Sequence, residues 1–265
     1  MTKTKLILSI TLILIFGIIS VASGATNNNQ NNEATDIIKW LGHSTCLITT
    51  EKGTNILIDP WITGNPVCPV SKEEIKPDII LVTHDHFDHI GTDIPYLTKG
   101  SNRVVIVNYD VAPKLIESGV DAKNIITNGM GMNIGGQVEI KGIKVTMTEA
   151  THSANSVGYI ITLEDGKTIY HAGDTGLFGG MELLGNLYDI DLAFIPIGNI
   201  FTMDPLQAAY SLTLLKPKKV VPIHYGGFEI LTKDPAEFVK FSKEKAPNVD
   251  VTVLSPGEKI TLDNK

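Results

Sequence analysis

The sequence predicts an α/β fold of the mixed (α+β) kind, with two packed sheets flanked by helices in one domain. Three observations carry this. Short runs of strand character recur from residue 37 onward, separated by Gly, Pro, Asn and Asp turns. Helix signals are mixed among those runs and lie towards both ends of the chain. Side chains of metal-ligand type follow directly on the ends of several runs, where α/β folds usually build their sites.

Taken in order, Ile37–Leu41, Thr45–Thr50 and Asn55–Ile58 read as three strands, with Lys52-Gly53 as a hairpin turn. A proline-rich loop from Pro60 to Pro69 precedes the strand Ile79–Thr83. A helix follows around Asp93–Lys99, then the strand Arg103–Asn108, then a helix capped by Asp110 and running through Glu117. Ile125 to Gly142 is rich in turns and glycine. Val138–Met147 and Val157–His171 supply further strands, the second turning at Glu164-Asp165-Gly166-Lys167. Asp191–Ile195 is a buried strand. Asp204-Pro205-Leu206-Gln207 places a capping Asp, a Pro at the first helical position and a Gln three residues after the cap, and Asp234-Pro235-Ala236-Glu237 repeats the logic. Asp250–Leu254 and Lys259–Leu262 close the chain.

Residues 37–265 are therefore expected to form the folded domain. The start differs. Lys3 and Lys5 precede an almost continuous apolar run, Leu6 to Val21, and the small residues Ala22-Ser23-Gly24-Ala25. This predicts a cleaved export signal over residues 1–24 and an extracytoplasmic protein. The alternative is an uncleaved membrane tether through residues 6–21, although a span needs about 20 apolar residues. Residues 25–36 are polar and Asn-rich, and read as a linker that cannot pack a core. Nothing in the sequence brings the two cysteines, Cys46 and Cys68, together.

At 265 residues the chain can bury a sizeable core. Its formal net charge is −7 and Arg103 is its single arginine. Arginine is the usual bidentate partner of phosphate and guanine, so a nucleic-acid partner is not expected.

The most informative stretch is His84-Asp85-His86-Phe87-Asp88-His89, straight after an apolar strand. Three imidazoles and a carboxylate in one H-x-H-x-D-H cluster suit a borderline-soft divalent ion such as zinc. In an extended loop His84 and His86 point the same way, and a turn at Phe87 can aim Asp88 and His89 at a neighbouring ion. His152, Asp174 and His224 each follow another strand-like run. Asp59 is a candidate to hold a ligand histidine from behind, and His43 to line a pocket. His171 is expected to be packed and hydrogen-bonded. Asn65, Phe201 and Met203 could contact a substrate or pack a loop.

In this order, the cluster, the later His152, the Gly-Asp-Thr-Gly of Asp174 and the His-Tyr-Gly of His224 resemble the ligand set of the metallo-β-lactamase superfamily. Trp40-Leu41-Gly42-His43-Ser44, Leu57-Ile58-Asp59-Pro60 and Thr63-Gly64-Asn65-Pro66 are similar to the small single-domain metal-dependent hydrolases of its ascorbate-phosphate lactonase (UlaG-like) branch. The resemblance covers about Ile37 to Leu262. It implies a four-layer αββα sandwich. It implies that His84, His86 and His152 hold one ion, that Asp88, His89 and His224 hold a second, and that Asp174 bridges them. A hydroxide between two divalent ions would be the nucleophile. Asp88 would orient it and serve as the catalytic acid–base group. Zinc is the expected metal, because related di-iron proteins usually carry Glu at the position of His86; Mn2+, Fe2+ and Ni2+ also suit such ligands. The ions, their carboxylates and the hydroxide leave the pocket with about one positive charge. A small anionic ester, lactone or phosphodiester is then the expected substrate. The competing readings are a catalytically silent metal-binding protein outside the cytoplasm and a di-iron redox protein.

Overall fold

The computed structural model describes residues 35–262 except Ser101 and Ala154. The expected export signal and nearly all of the expected linker lie outside the described residues. The folded part starts one residue earlier than expected, because Asp36 already belongs to the first strand.

The first half of the chain gives β1 (Asp36–Trp40), β2 (Cys46–Thr49), β3 (Asn55–Ile58), β4 (Ile79–Val82) and β5 (Val104–Val107). Three short helices accompany them: α1 (Phe87–Ile90), α2 (Ile94–Thr98) and α3 (Ala112–Glu117). The second half gives β6 (Gln137–Ile140), β7 (Ile143–Glu149), β8 (Val157–Thr162), β9 (Thr168–His171), β10 (Leu192–Pro196), β11 (Lys219–Ile223) and β12 (Asp250–Val251). Its helices are α4 (Gly180–Leu187), α5 (Pro205–Leu215) and α6 (Ala236–Lys245), and β13 (Lys259–Leu262) ends the domain. The strands form two mixed sheets, in the orders β13-β1-β2-β3-β4-β5 and β12-β11-β10-β9-β8-β7-β6. With helices flanking both, this is the metallo-β-lactamase fold.

β4 shows why the layers form. Ile79 and Leu81 belong to the core between the sheets, whereas Ile80 and Val82 pack outward with Ile94, Leu97 and Leu115 of α2 and α3. A strand covered on both faces reads as an unbroken apolar run. Each such side chain contributes roughly 1.5–3 kcal/mol by burial. On the other side Phe194 and Ile195 of β10 share a core with Leu212 and Phe238 of α5 and α6.

Pairing directions then decide where the site lies. β1, β3, β4 and β5 run one way in the first sheet, and β7, β9, β10 and β11 run together in the second. His43, Asp59 and the cluster from His84 follow the C-terminal ends of β1, β3 and β4. His152, Asp174 and His224 follow those of β7, β9 and β11.

The sheets are stitched close to that rim. Val157 N donates to Thr83 O at 3.0 Å, and the Tyr159 hydroxyl to Val82 O at 2.7 Å. Gly173 sits at the seam with φ +60°, and a Cβ there would come within 2.6 Å of Val157 O and 2.9 Å of Thr83 Cβ. Only glycine fits.

Some elements differ from expectation. The turn at Phe87 is a one-turn helix, α1. Asp110 is no cap: Asn108 Oδ1 accepts its backbone N–H, and Val111 precedes the helix. α4 is an additional helix. Asp204 does cap α5, accepting Gln207 N at 2.7 Å. Cys46 and Cys68 are unpaired.

Candidate metal centre

After β4 the chain stays extended through His86 (φ −67°, ψ 143°) and then enters α1. Extended alternation puts His84 and His86 on one side. Asp85 points away and pairs with Lys114 of α3. The first turn of α1 presents Asp88 and His89.

The ligand-type atoms form two adjoining groups. Those of His84, His86, His152 and Asp174 lie within 4.8 Å of one another, as do those of His43, Asp88, His89 and His224. The His84 and His89 rings, one from each group, are 4.1 Å apart between centroids. Asp174 faces both. Its Oδ2 is 3.0 Å from His224 Nε2, 3.7 Å from His152 Nε2 and 3.9 Å from His84 Nε2, and its Oδ1 is 3.3 Å from His89 Nε2.

These approaches are not hydrogen bonds. His84 Nε2, His89 Nε2, His224 Nε2 and Asp174 Oδ1 are buried and have no hydrogen-bond partner among the described residues. Leaving a buried polar group unsatisfied costs about 1–3 kcal/mol. Several such atoms converging on one carboxylate are satisfied together by a cation, so the residues present fit divalent metal.

The backs of the rings are held in the matching tautomer. Asp59, fully buried, accepts Thr83 N through Oδ1 (2.8 Å), and through Oδ2 the Thr83 hydroxyl (2.8 Å) and His89 Nδ1–H (2.8 Å). With its proton given to Asp59, Thr83 Oγ1 accepts His84 Nδ1–H at 3.0 Å. With Nδ1–H held from behind, both rings turn Nε2 to the centre. Thr83 escaped the sequence reading, and its place directly before the cluster was the only signal. Thr83→Val removes this relay at nearly constant shape. It is expected to weaken metal binding about 10–100-fold and to cost about 1–3 kcal/mol of stability. A competitive chelator titration beside a denaturant melt checks this; unchanged affinity would discard the relay.

His43 Nε2 stands 3.0 Å from Asp88 Oδ2. That nitrogen is committed to the carboxylate, so His43 steers Asp88 and is not free to take a metal through it. His43, Asp59 and His224 all adopt left-handed backbone (φ 53°, 47° and 59°). Such outliers are held only where surrounding structure over-determines them. His224 N donates to His43 O at 3.0 Å, and Gly198 lies so close that a Cβ would come within 2.5 Å of His224 O and 2.6 Å of its Nδ1.

Electrostatics prepare the donors. Burial pushes His43 down to about 4 and His84 to about 2, so both imidazoles are neutral. Burial would raise Asp174 and Asp88. The charges of His224 and His89 hold Asp174 well below its ordinary value, and the His43 hydrogen bond lowers Asp88. Burial would lower His89, but Asp174 and Asp59 on either side raise it well above the usual histidine range. A cation entering the centre displaces that proton.

The remaining candidates fall outside the two groups. His171 is fully buried. It donates from Nε2 to Ser44 O (3.1 Å) and accepts Gly173 N at Nδ1 (3.1 Å), joining the sheets. Of its two readings Asn65 takes the loop-packing one: its amide donates to Trp61 O and accepts Val67 N. Met203 is buried in the core between sheet and helices. Phe201 lines a cleft of about 260 Å³ with His86, Phe87, Asp88, His152, Asp174 and His224.

The arrangement agrees with what the chain is similar to. The family model described as a beta-lactamase superfamily domain matches residues 54–225. A metal-dependent hydrolase of Nitratidesulfovibrio vulgaris is 46% identical over 231 residues, covering 85% of this chain and 95% of that protein. One of Methanobrevibacter smithii is 42% identical over 234 residues, covering 83% and 95%. The solved structure of a metallo hydrolase from the archaeon Ignicoccus hospitalis superimposes with a TM-score of 0.77 at 36% identity, covering 87% of this chain and 100% of that one. Candidate ligand groups, fold and relatives converge, and the chain belongs to the β-lactamase superfamily, among its metal-dependent hydrolases.

Proposed function

We propose a two-metal hydrolase acting on a small ester, lactone or phosphodiester. The observation that carries this reading is the Asp174 carboxylate, set between unpartnered histidine nitrogens of both groups, His84 Nε2 on one side and His89 and His224 Nε2 on the other. His84, His86 and His152 would hold one ion, Asp88, His89 and His224 the other, and Asp174 both. Bound there, two divalent ions, zinc for this set of imidazoles and carboxylates, would supply a water acidified to near neutrality and charge to polarise the scissile group.

The chain's own residues manage the proton. His43 keeps one Asp88 oxygen occupied and the side chain oriented. The other Asp88 oxygen would face the second ion with one lone pair and with its other orient the attacking water, taking that water's proton and passing it to the leaving oxygen. The hydroxyl of the water joins the acyl or phosphoryl centre as the bond to that leaving oxygen breaks. No Ser or Cys nucleophile is needed, and the cleft lining contains none. The lining also lacks Lys and Arg, and Arg103 donates to the carbonyls of Pro77 and Leu97 instead. This supports a small substrate carrying little negative charge over nucleic acid.

Metal analysis of purified protein tests the reading. Two ions per chain, mostly zinc, are expected. Chelation should abolish hydrolysis of a small ester, lactone or phosphodiester, and zinc should restore it. Full turnover with one ion or none would overturn the two-metal centre.

A further inference from the structure

Five of the seven residues lining the cleft belong to the two metal-ligand groups, and the other two are Phe87 and Phe201. Among the described residues, no side-chain amide, hydroxyl or ammonium lines it to recognise a polar substituent. Both phenylalanines are exposed, at 68% and 53%. Large apolar side chains left in water beside a reactive centre mark a binding surface.

Two further features show that this surface is built. Behind Phe87, Trp61 stacks on Phe228 with centroids 5.6 Å apart and planes 18° apart, and Phe87 meets both edge-on at 5.8 and 6.2 Å. The wall is thus aromatic to its second layer. Opposite, Phe201 is presented by a strained loop. Asn199 and Ile200 have φ 64° and 23°, and positive φ is rare for a β-branched residue. The strain is held by Asn199 N on Met203 O (3.0 Å), Thr202 N on Asn199 O (2.6 Å), Gly198 N on Thr202 Oγ1 (3.0 Å) and Thr232 N on Gly198 O (3.1 Å). Backbone strain of this kind persists where it serves a site.

We propose that the substrate carries an apolar substituent of several carbons beside the bond that is cut, and that Phe87 and Phe201 are the specificity-determining residues that grip it. This rests on the hydrolytic reading above and narrows it. The metal ligands handle the reacting group, and discrimination falls to aromatic contact.

The test uses zinc-loaded protein and 4-nitrophenyl esters that differ only in their acyl chain, from acetyl to octanoyl. kcat/KM should rise about fourfold per methylene over the first few carbons. Phe201→Ala should flatten that slope, and Phe201→Leu should restore part of it. Octanoate and acetate are titrated in parallel while tryptophan fluorescence is followed, because Trp61 belongs to the aromatic wall. Octanoate should bind more tightly, and Phe201→Ala should remove the difference. A flat or falling chain-length series with good turnover would overturn the inference and leave the hydrolase reading standing. Absence of turnover on any ester, lactone or phosphodiester would sink the hydrolase reading instead. In that case the titration decides, and octanoate binding no better than acetate would overturn the apolar grip as well.

Discussion

Asp174→Ala is expected to bring metal content below two ions per chain and turnover to background. Among the described residues it is the carboxylate that stands within 3.0–3.9 Å of histidine nitrogens from both ligand groups. Without it, neighbouring divalent ions share no anion and repel in a poorly screened interior. Losing the several kcal/mol of charge stabilisation that a metal supplies lowers the rate roughly a thousandfold. The fold should survive, because Asp174 lies in the loop after β9 and contributes no apolar burial. Metal analysis, circular dichroism and turnover are measured on one sample. Two tightly held ions with normal turnover would refute the bridging role.

The second large effect is expected from Asp88→Asn. The amide keeps the shape, and its oxygen still accepts from His43 Nε2. The charge and the proton-accepting oxygen are gone. Loss of a positioned acid–base group costs about 10²–10⁴ in rate. Because Asp88 also belongs to the second ligand group, metal content must be measured beside kcat. A fall in kcat no larger than the fraction of metal lost would remove the proton-transfer role and leave Asp88 as a ligand alone.

The layered fold was legible because most strands announce themselves locally. β4 is a continuous apolar run, and Lys52-Gly53 and Glu164 through Lys167 punctuate hairpins. The ligand cluster was legible for the same reason, since its chemistry is concentrated in six consecutive residues. What escaped depends on tertiary approach. α4 carries Gly180 and Gly185, which argue against a helix. Yet a Cβ on Gly185 would stand 2.2 Å from Leu214 O, so the glycine that hides the helix is what lets α4 lie against α5. Thr83 looks like the last residue of a strand until Asp59 arrives from β3 to take its proton. Asn65 sits in a family-like stretch, but its amide is spent on its own loop. The aromatic wall joins Trp61, Phe87 and Phe228 from three distant segments, and no periodicity links them.

The spread of the ligands along the chain also sets a clock. His84 to His89 emerge early during synthesis, whereas His224 follows β11 and is made well over a hundred residues later. The early cluster alone offers a single local group of donors, without Asp174 facing both groups. Closing so long a loop costs entropy that only docking of the second sheet can offset. Tight metal uptake would therefore report that the chain has reached His224 and that both sheets have met. A chain cut short before β11 would hold metal loosely and lose it to a competing chelator, so metal binding would seal the meeting of the two sheets.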